Sequence, residues 1–436
     1  MGRGPKYLAD WKADYQRKFR TVEELAQLIE SHTVVFSHGW ISEPFTLMRA
    51  IQKRVGELED VEWHVNNTFE PYYDDTEEHI RYVHWGVSDA ARKNVQNGIG
   101  SYVPSHFYQV AARDTRDLDI DYALITVSPP DENGFMTFGV AVSHIRSIVD
   151  NAKIVIAQVN PNAPRVCGNS RIHISEIDYI CEAEEPLLEL PYVAPDKNAE
   201  QIASYISEYI ENGSTIQLGI GKIPNAVASF LKDKRDLGVH SEMFTDSMME
   251  LMELGVITNA RKSIDKYKAV ATFTGGSKKL YKWVDNNPFV EFHPVSYVNN
   301  ANVIAQQHKL VSINASLSID LTGQCCSESI GLRQHSGTGG QVDFNIGAGM
   351  NPESKAFIAV NSTANTKNGR VSTIVPFHPG SFVTTSRNDV EYIVTEYGVA
   401  RMRGKSIKQR VEQLINIAHP DYRDELRFEA KKLHFI

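Results

Sequence analysis

The stretch VHSEMFTDSMMELM, residues 239–252, holds an acid that helix grammar does not request. Asp246 or Ser247 suits an N-cap, and Ser247 with Glu250 three residues later reads as a capping box ahead of Met248, Met249, Leu251 and Met252. Glu242 lies upstream of that cap and has no such duty. A carboxylate without a local structural role is a candidate nucleophile, provided the fold desolvates it and holds its target close.

Two glycine-rich segments could supply the donors such chemistry needs. In GIGKIPNAV (219–227) two glycines and a proline stand between a strand and a helix, so backbone N–H groups at a helix N-terminus are available to an anion. A tight turn asks for the same glycines, and the segment completes neither G-x-G-x-x-G nor a Walker loop. SGTGGQVDFNIGAG (336–349) packs five glycines ahead of and around Val342 and Phe344. It reads either as a ligand cradle with paired N–H donors or as a flexible hairpin loop. Lys367, in TANTKNGR, could meet a phosphate or sit solvated at a hairpin tip beside Asn368-Gly369, and Arg370 and Arg387 share that ambiguity. His38, in FSHGW, follows a strand, where a lone histidine is more often structural. No H-E-x-x-H or clustered His/Asp/Glu spacing points to a metal, and no G-x-S-x-G elbow to a serine hydrolase.

These groups must be held by a large body. At 436 residues the chain implies two domains or one bilobed unit, and 42% hydrophobic with 23% charged residues is a globular composition. No apolar run approaches the roughly 18 residues of a membrane span. The net charge of -9, without a basic stripe, argues against nucleic acid, so an anionic ligand needs a local site. Cys167, Cys181, Cys325 and Cys326 show no C-x-x-C spacing, and the N-terminus is charged without an apolar signal core; both favour a reducing cytoplasm, with neither structural zinc nor disulfides. Lys6 occupies the position where myristoylation wants Ser or Thr, and the first residues read as plain helix.

Apolar strands alternate with amphipathic helices throughout: TVVFSHG then EPFTLMRAIQKRV, YALITVSPPDENG, AKIVIAQVN, STIQLGIGKIP then NAVASFLKDK, and KLVSINASLSID. This is an α/β pattern with mostly parallel sheets buried on both faces. EEPLLELPYVAPDKNAEQ, with prolines at 186, 191 and 195, divides the chain into domains 1–190 and 198–436, with a new helix from about Lys197. The halves also read as distant repeats. TVVFSHGWISEP (33–44) and TIQLGIGKIP (215–224) share strand, glycine, proline and helix, and DYALITVSPPDENG (121–134) pairs more loosely with KLVSINASLSIDLTGQ (309–324). Duplication and generic α/β grammar both account for this; duplication would make two similar open domains, pseudo-symmetric, with a ligand cleft between them.

GIGKIPNAV, HSEMFTD, SIDLTGQ, SGTGGQVDF and VTEYGVA, in that order, resemble the class I coenzyme A-transferases, and within them the acetyl-CoA hydrolase/transferase branch. SPPDENGF, AKIVIAQVN and HISEID extend the likeness over nearly the whole chain. The resemblance is strongest to 4-hydroxybutyrate and butyrate:acetate coenzyme A-transferases. It implies that Glu242 is the nucleophile and that backbone N–H groups near Ile220 and at Gly340 form an oxyanion hole. It also implies coenzyme A contacts at Gln217, Leu218, Gly219, Ile220, Gly221, Leu317, Gly340 and Lys367. Lys222, where many relatives have a small residue, and Asn365 depart from the family pattern. The implied reaction moves coenzyme A from a short-chain acyl-CoA to a carboxylate such as acetate, through an acyl-glutamyl anhydride and a glutamyl-CoA thioester. Coenzyme A would then be a substrate and not a resident cofactor, and the protein a homodimer or higher homo-oligomer. Two other readings stand beside it: an acyl-CoA hydrolase, and a noncatalytic ligand-binding or sugar-phosphate-sensing protein on a similar fold. His38, Trp40 and the SPPDENG loop are the expected pocket walls of the first half.

Overall fold

The computed structural model describes residues 3–70, 78–378 and 380–436. The chain forms two compact units, Met1–Leu190 with Ala271–Tyr297, and Pro191–Val270 with Val298–Ile436. The change after Leu190 falls inside the proline-rich stretch. The next helix is Lys197–Ser207, with Asp196 as the N-cap accepting from the Ala199 amide. Ala271–Tyr297 belongs with the first unit although it lies far beyond that stretch. Long-range bonds tie it there, such as Leu190 N to Gly276 O and Val295 N to Ser143 O, and local composition does not report them.

The first unit is built on β1 (Val34–Ser37), β2 (Val61–Asn66), β3 (Tyr122–Val127), β4 (Ile154–Val159) and β5 (Tyr179–Glu182). They lie in the order β2-β1-β3-β4-β5, all parallel, and Ile80–Gly86 and Ser101–Tyr102 extend the sheet beyond β2. In the second unit, β6 (Thr215–Leu218), β7 (Gly238–Val239), β8 (Val311–Ala315), β9 (Lys355–Ala359) and β10 (Tyr392–Thr395) lie in the order β7-β6-β8-β9-β10, again all parallel. Gly398–Arg401 closes that sheet as an antiparallel edge. Taken in chain order, the five labelled strands of each sheet lie in the order 2-1-3-4-5. The two segment pairs that look alike in sequence are β1 with β6 and β3 with β8, which occupy the same two central places in their sheets.

Sequence explains these strands directly. YALITV is apolar at nearly every position because both faces of β3 are covered, and all six residues are buried. The helix Phe45–Gln52 lays Leu47, Met48 and Ile51 on a core that includes Val35, Trp63, Leu124 and Ile156. In the second unit Val411, Leu414 and Ile415 of the helix Ile407–Ile417 pack with Ile358 and Ile393, behind a Ser406–Gln409 capping box.

Two local expectations are corrected. Residues 3–10 do not form helix, which begins at Trp11 after Asp10 accepts from the Ala13 amide. The Asp246–Glu253 helix is preceded by Thr245, and neither Asp246 nor Ser247 is its N-cap. Ser247 is already inside the first turn, so its hydroxyl turns to Asn225 Oδ1 at 3.2 Å and the Ser247–Glu250 box does not form.

Leu124 is fully buried at the centre of β3. Leu124→Ala should destabilise the protein by about 2–5 kcal/mol, read as a lower urea midpoint with the slope of the transition unchanged.

Candidate active site

A 2-1-3-4-5 parallel sheet has its switch point between the first and third strands, and ligands of such sheets bind outside the carboxyl ends there. In the second unit that point is the β6/β8 boundary. The chain leaves β6 into Gly219-Ile220-Gly221, and leaves β8 into Ser316-Leu317. One strand further along, β7 runs out into His240-Ser241-Glu242, and Ser241 Oγ donates to Leu218 O at 3.1 Å. The glutamate is therefore tied to the strand that carries the first glycine loop.

Three groups define the immediate setting of Glu242. Asn299 Nδ2 donates to Glu242 Oε2 at 2.9 Å, and the Gly340 amide donates to the same carboxylate. Asn299 Nδ2 also reaches Asp343 Oδ2 at 3.1 Å, three residues into the helix that Gly340 precedes. A Cβ at position 340 would lie 1.9 Å from Glu242 Oε2 and 2.2 Å from Asn299 Nδ2, so only glycine lets this backbone approach the carboxylate. Glu242 as a whole is half-buried, yet its carboxylate sits deep enough that desolvation pushes its pKa up to about 7, against the opposing bonds from Asn299 and Gly340. Asn299 is 1% exposed and its Oδ1 has no hydrogen-bond partner among the described residues. The side chain is held for what its amide nitrogen does.

The first glycine loop divides into scaffold and surface. Gln217 is buried, and its Oε1 accepts from Ser312 Oγ, Ile313 N and Asn314 Nδ2 at 2.7, 3.1 and 3.2 Å, locking β6 to β8. Leu218 is buried as well. Gly219 and Gly221 face open space, Ile220 is 54% exposed, and Gly221 has φ +111°, which side chains rarely adopt. Lys222 turns away to an exposed ion pair with Asp196 at 2.7 Å. Leu317 is half-buried, with its amide bonded to Cys326 O. Lys367 is at the exposed tip of the Thr363–Thr366/Gly369–Ser372 hairpin and has no ion pair among the described residues. Asn365 pairs with Arg370 across that ladder, and Arg370 with Asp421.

The first-half candidates are mostly structural. His38 is buried, bonds Ala141 O through Nε2 at 2.5 Å, and is pushed down to about 4 by burial, which makes it a neutral core histidine. In the SPPDENG loop Asp131 Oδ1 accepts from the Asn133 and Phe135 amides, and Oδ2 pairs with Arg165 at 3.0 Å. Trp40 has φ 60° and packs against Phe69 and Phe273, with its indole N–H on Thr274 O at 3.1 Å. All four cysteines are free thiols. No helix of the described residues is long and apolar enough to cross a membrane.

Sequence reasoning missed Asn299 and Asp343. Asp343 stands three residues after Gly340 in GGQVDF, a helical spacing that could have flagged it. Asn299, in YVNNAN, has no local signal, because its role depends on a chain crossing that only the fold makes.

A partly desolvated carboxylate held by amide donors at the ends of parallel strands is a set of groups that could meet an acyl group. Residues 6–190 match the acetyl-CoA hydrolase/transferase N-terminal domain and residues 276–430 the C-terminal domain of that family. The 4-hydroxybutyrate coenzyme A transferase of Clostridium kluyveri is 46% identical over 430 residues, 97% of this chain and 99% of that protein. The succinyl-CoA:cyclohexane-1-carboxylate CoA transferase of Geobacter metallireducens is 44% identical, with 98% of each chain covered. The crystal structure of RipA from Yersinia pestis superposes with a TM-score of 0.90 at 35% identity, over 98% of this chain and all of that one. The chain belongs to the acetyl-CoA hydrolase/transferase family.

Two outcomes follow from this geometry. Between pH 4.5 and 7 the folded protein must ionise a carboxylate that burial disfavours, while the unfolded chain ionises it freely, so native stability falls as pH rises through that window. Glu242→Gln stays neutral and should be more stable than wild type at pH 8 by up to about 3 kcal/mol, with the gap closing towards pH 4.5 in paired denaturant titrations. Gly340→Ala should push the carboxylate and Asn299 apart and cost about 1–3 kcal/mol, read the same way at pH 7.

Proposed function

We propose that the protein transfers coenzyme A from a short-chain acyl-CoA to a carboxylate such as acetate, with Glu242 as the covalent carrier. The observation that carries this reading is the pair of amide donors, Asn299 Nδ2 and Gly340 N–H, on one desolvated glutamate. The names of the two enzyme relatives, both CoA transferases, agree with it, and their different carboxylates leave the acyl group to experiment.

The steps follow from the groups present. With Oε2 held by Asn299, Oε1 attacks the thioester carbon, and exposed amides of the Gly219–Gly221 loop meet the oxyanion. Collapse breaks the C–S bond, which gives an acyl-glutamyl anhydride and the coenzyme A thiolate. The thiolate then attacks Glu242 Cδ. Negative charge develops on Oε2, where Asn299 already donates and beside which the Gly340 backbone lies, so a donor that needs no reorganisation stabilises this second tetrahedral state. Loss of the first carboxylate leaves a glutamyl-CoA thioester. An acceptor carboxylate attacks that thioester and releases the thiolate again, and thiolate attack on the acceptor's carbonyl frees Glu242. Four acyl exchanges conserve the thioester as long as water stays out.

Incubation with butyryl-CoA and acetate should form acetyl-CoA with total thioester constant. Rapid thioester loss without acetate would identify a hydrolase instead. Glu242→Ala should lose exchange by at least about 10³-fold while keeping its fold, and hydroxylamine added during turnover should label Glu242 in the wild type. Wild-type exchange by the alanine variant would sink the mechanism, and would fit a protein that only binds its ligand. Because the attacking form is ionised, kcat/KM should rise with pH through an apparent pKa near 7 and not near 4.5. A profile flat from pH 5 to 8 would contradict that assignment.

A further inference from the structure

We propose that Glu328 is the positioning residue of the second glycine loop, fixing through Thr338 where the Gly340 amide points. The proposal rests on the reading of Glu242 as the nucleophile and adds a residue that does not touch it. Glu328 is 6% exposed and has no ion-pair partner among the described residues. Its carboxylate is held by neutral side chains only. Thr384 Oγ1 donates to Oε1 at 2.9 Å, and Gln334 Nε2 and Thr338 Oγ1 donate to Oε2 at 3.2 and 3.4 Å. Its backbone carbonyl accepts from His335 N at 2.7 Å and Ser336 N at 3.1 Å, so main chain and side chain of one residue together gather the segment 334–338.

That segment ends two residues before the amide in question. From Thr338 the chain passes through Gly339, at φ +61°, to Gly340. On the far side, Gln341 Nε2 donates to Thr385 Oγ1 at 2.9 Å. Gly340 is thus suspended between two anchors on one strap, Thr384 through Glu328 and Thr385 through Gln341.

The choice of a carboxylate is the informative point. A buried acid without a cation is costly to desolvate, and for stability alone an apolar or amide side chain would do better. What a carboxylate adds is acceptors for several donors at once. It accepts from Thr338, Thr384 and Gln334 together, while Gln334 Nε2 also donates to Ser336 O at 2.7 Å and Thr384 Oγ1 accepts from Ser327 N at 2.9 Å, so the acid is one node of a network that pins the loop. An amide in its place would offer a donor to neighbours that are themselves donors, and the loop would gain alternatives. Displacement of about 1 Å in such a loop is enough to cost roughly 10²-fold in rate.

The test compares wild type, Glu328→Gln, Thr338→Val and the double variant in the butyryl-CoA/acetate exchange, with thermal unfolding alongside. Glu328→Gln should lower kcat and kcat/KM together by about 10- to 100-fold while KM for butyryl-CoA stays within about twofold, because the donor it positions acts in the transition state. Thr338→Val should show the same split more weakly, and the double variant should be no worse than Glu328→Gln, since both act along one path. Wild-type kcat in Glu328→Gln, a change in melting temperature alone, or additive losses in the double variant would each overturn the proposal. If Glu328→Gln fails to fold, Thr338→Val decides alone: unchanged kcat refutes, and a fall in kcat at constant KM supports. Failure of the underlying reading would look different, with Glu242→Ala exchanging coenzyme A like the wild type.

Discussion

One contact orders the second unit: the Gly340 backbone lies so close to the Glu242 carboxylate that a side chain there would run into it. Bringing a main-chain donor to a half-buried glutamate requires a glycine at the start of a helix, a strand end that presents the acid, and an asparagine that completes the donor set. Each requirement recruits structure behind it. Ser241 ties the glutamate to β6, Gln217 ties β6 to β8, and the Thr384–Thr385 strap holds the glycine loop. The carboxylate is left with enough hydrogen bonding to survive burial and too little to return to its ordinary pKa. That imbalance is what the proposed nucleophile would draw on.

The two sheets show how the positions for such a site arise. The five labelled strands of each repeat the order 2-1-3-4-5, and a switch point follows from that order whatever the side chains are. In the second unit the strand ends there carry glycines, a glutamate and exposed backbone amides. The matching strand ends of the first unit carry His38, neutral and bonded to Ala141, and a loop whose Asp131 is satisfied by its own amides and by Arg165. A shared topology has thus been given different chemistry by a few residues per loop.

Much of this was legible in the sequence, and for identifiable reasons. Parallel strands buried on both faces must be apolar throughout, so YALITV and KIVIAQV announce themselves, and helices with one apolar face follow them at regular intervals. The first compact unit runs to Leu190, within the proline-rich stretch, and takes up Ala271–Tyr297 again through bonds between residues far apart in the chain. The helix cap at Asp246–Ser247 was misread because capping grammar fixes a helix start only to within a residue or two, and one residue turns a capping serine into a first-turn serine.

The sequence by itself determined the kinds of groups available: an acid with no local task, and two glycine loops whose backbones something must approach. Side-chain chemistry and turn requirements are local properties, so they can be read along the chain. Tertiary structure alone decided which of these groups meet. Asn299 lies 57 residues from Glu242 in sequence and 2.9 Å from it in space. Glu328 looks like an ordinary surface acid in SESIG until the loop is seen folded around it. Desolvation, which raises the glutamate's pKa, is a property of the surrounding packing and of no single residue.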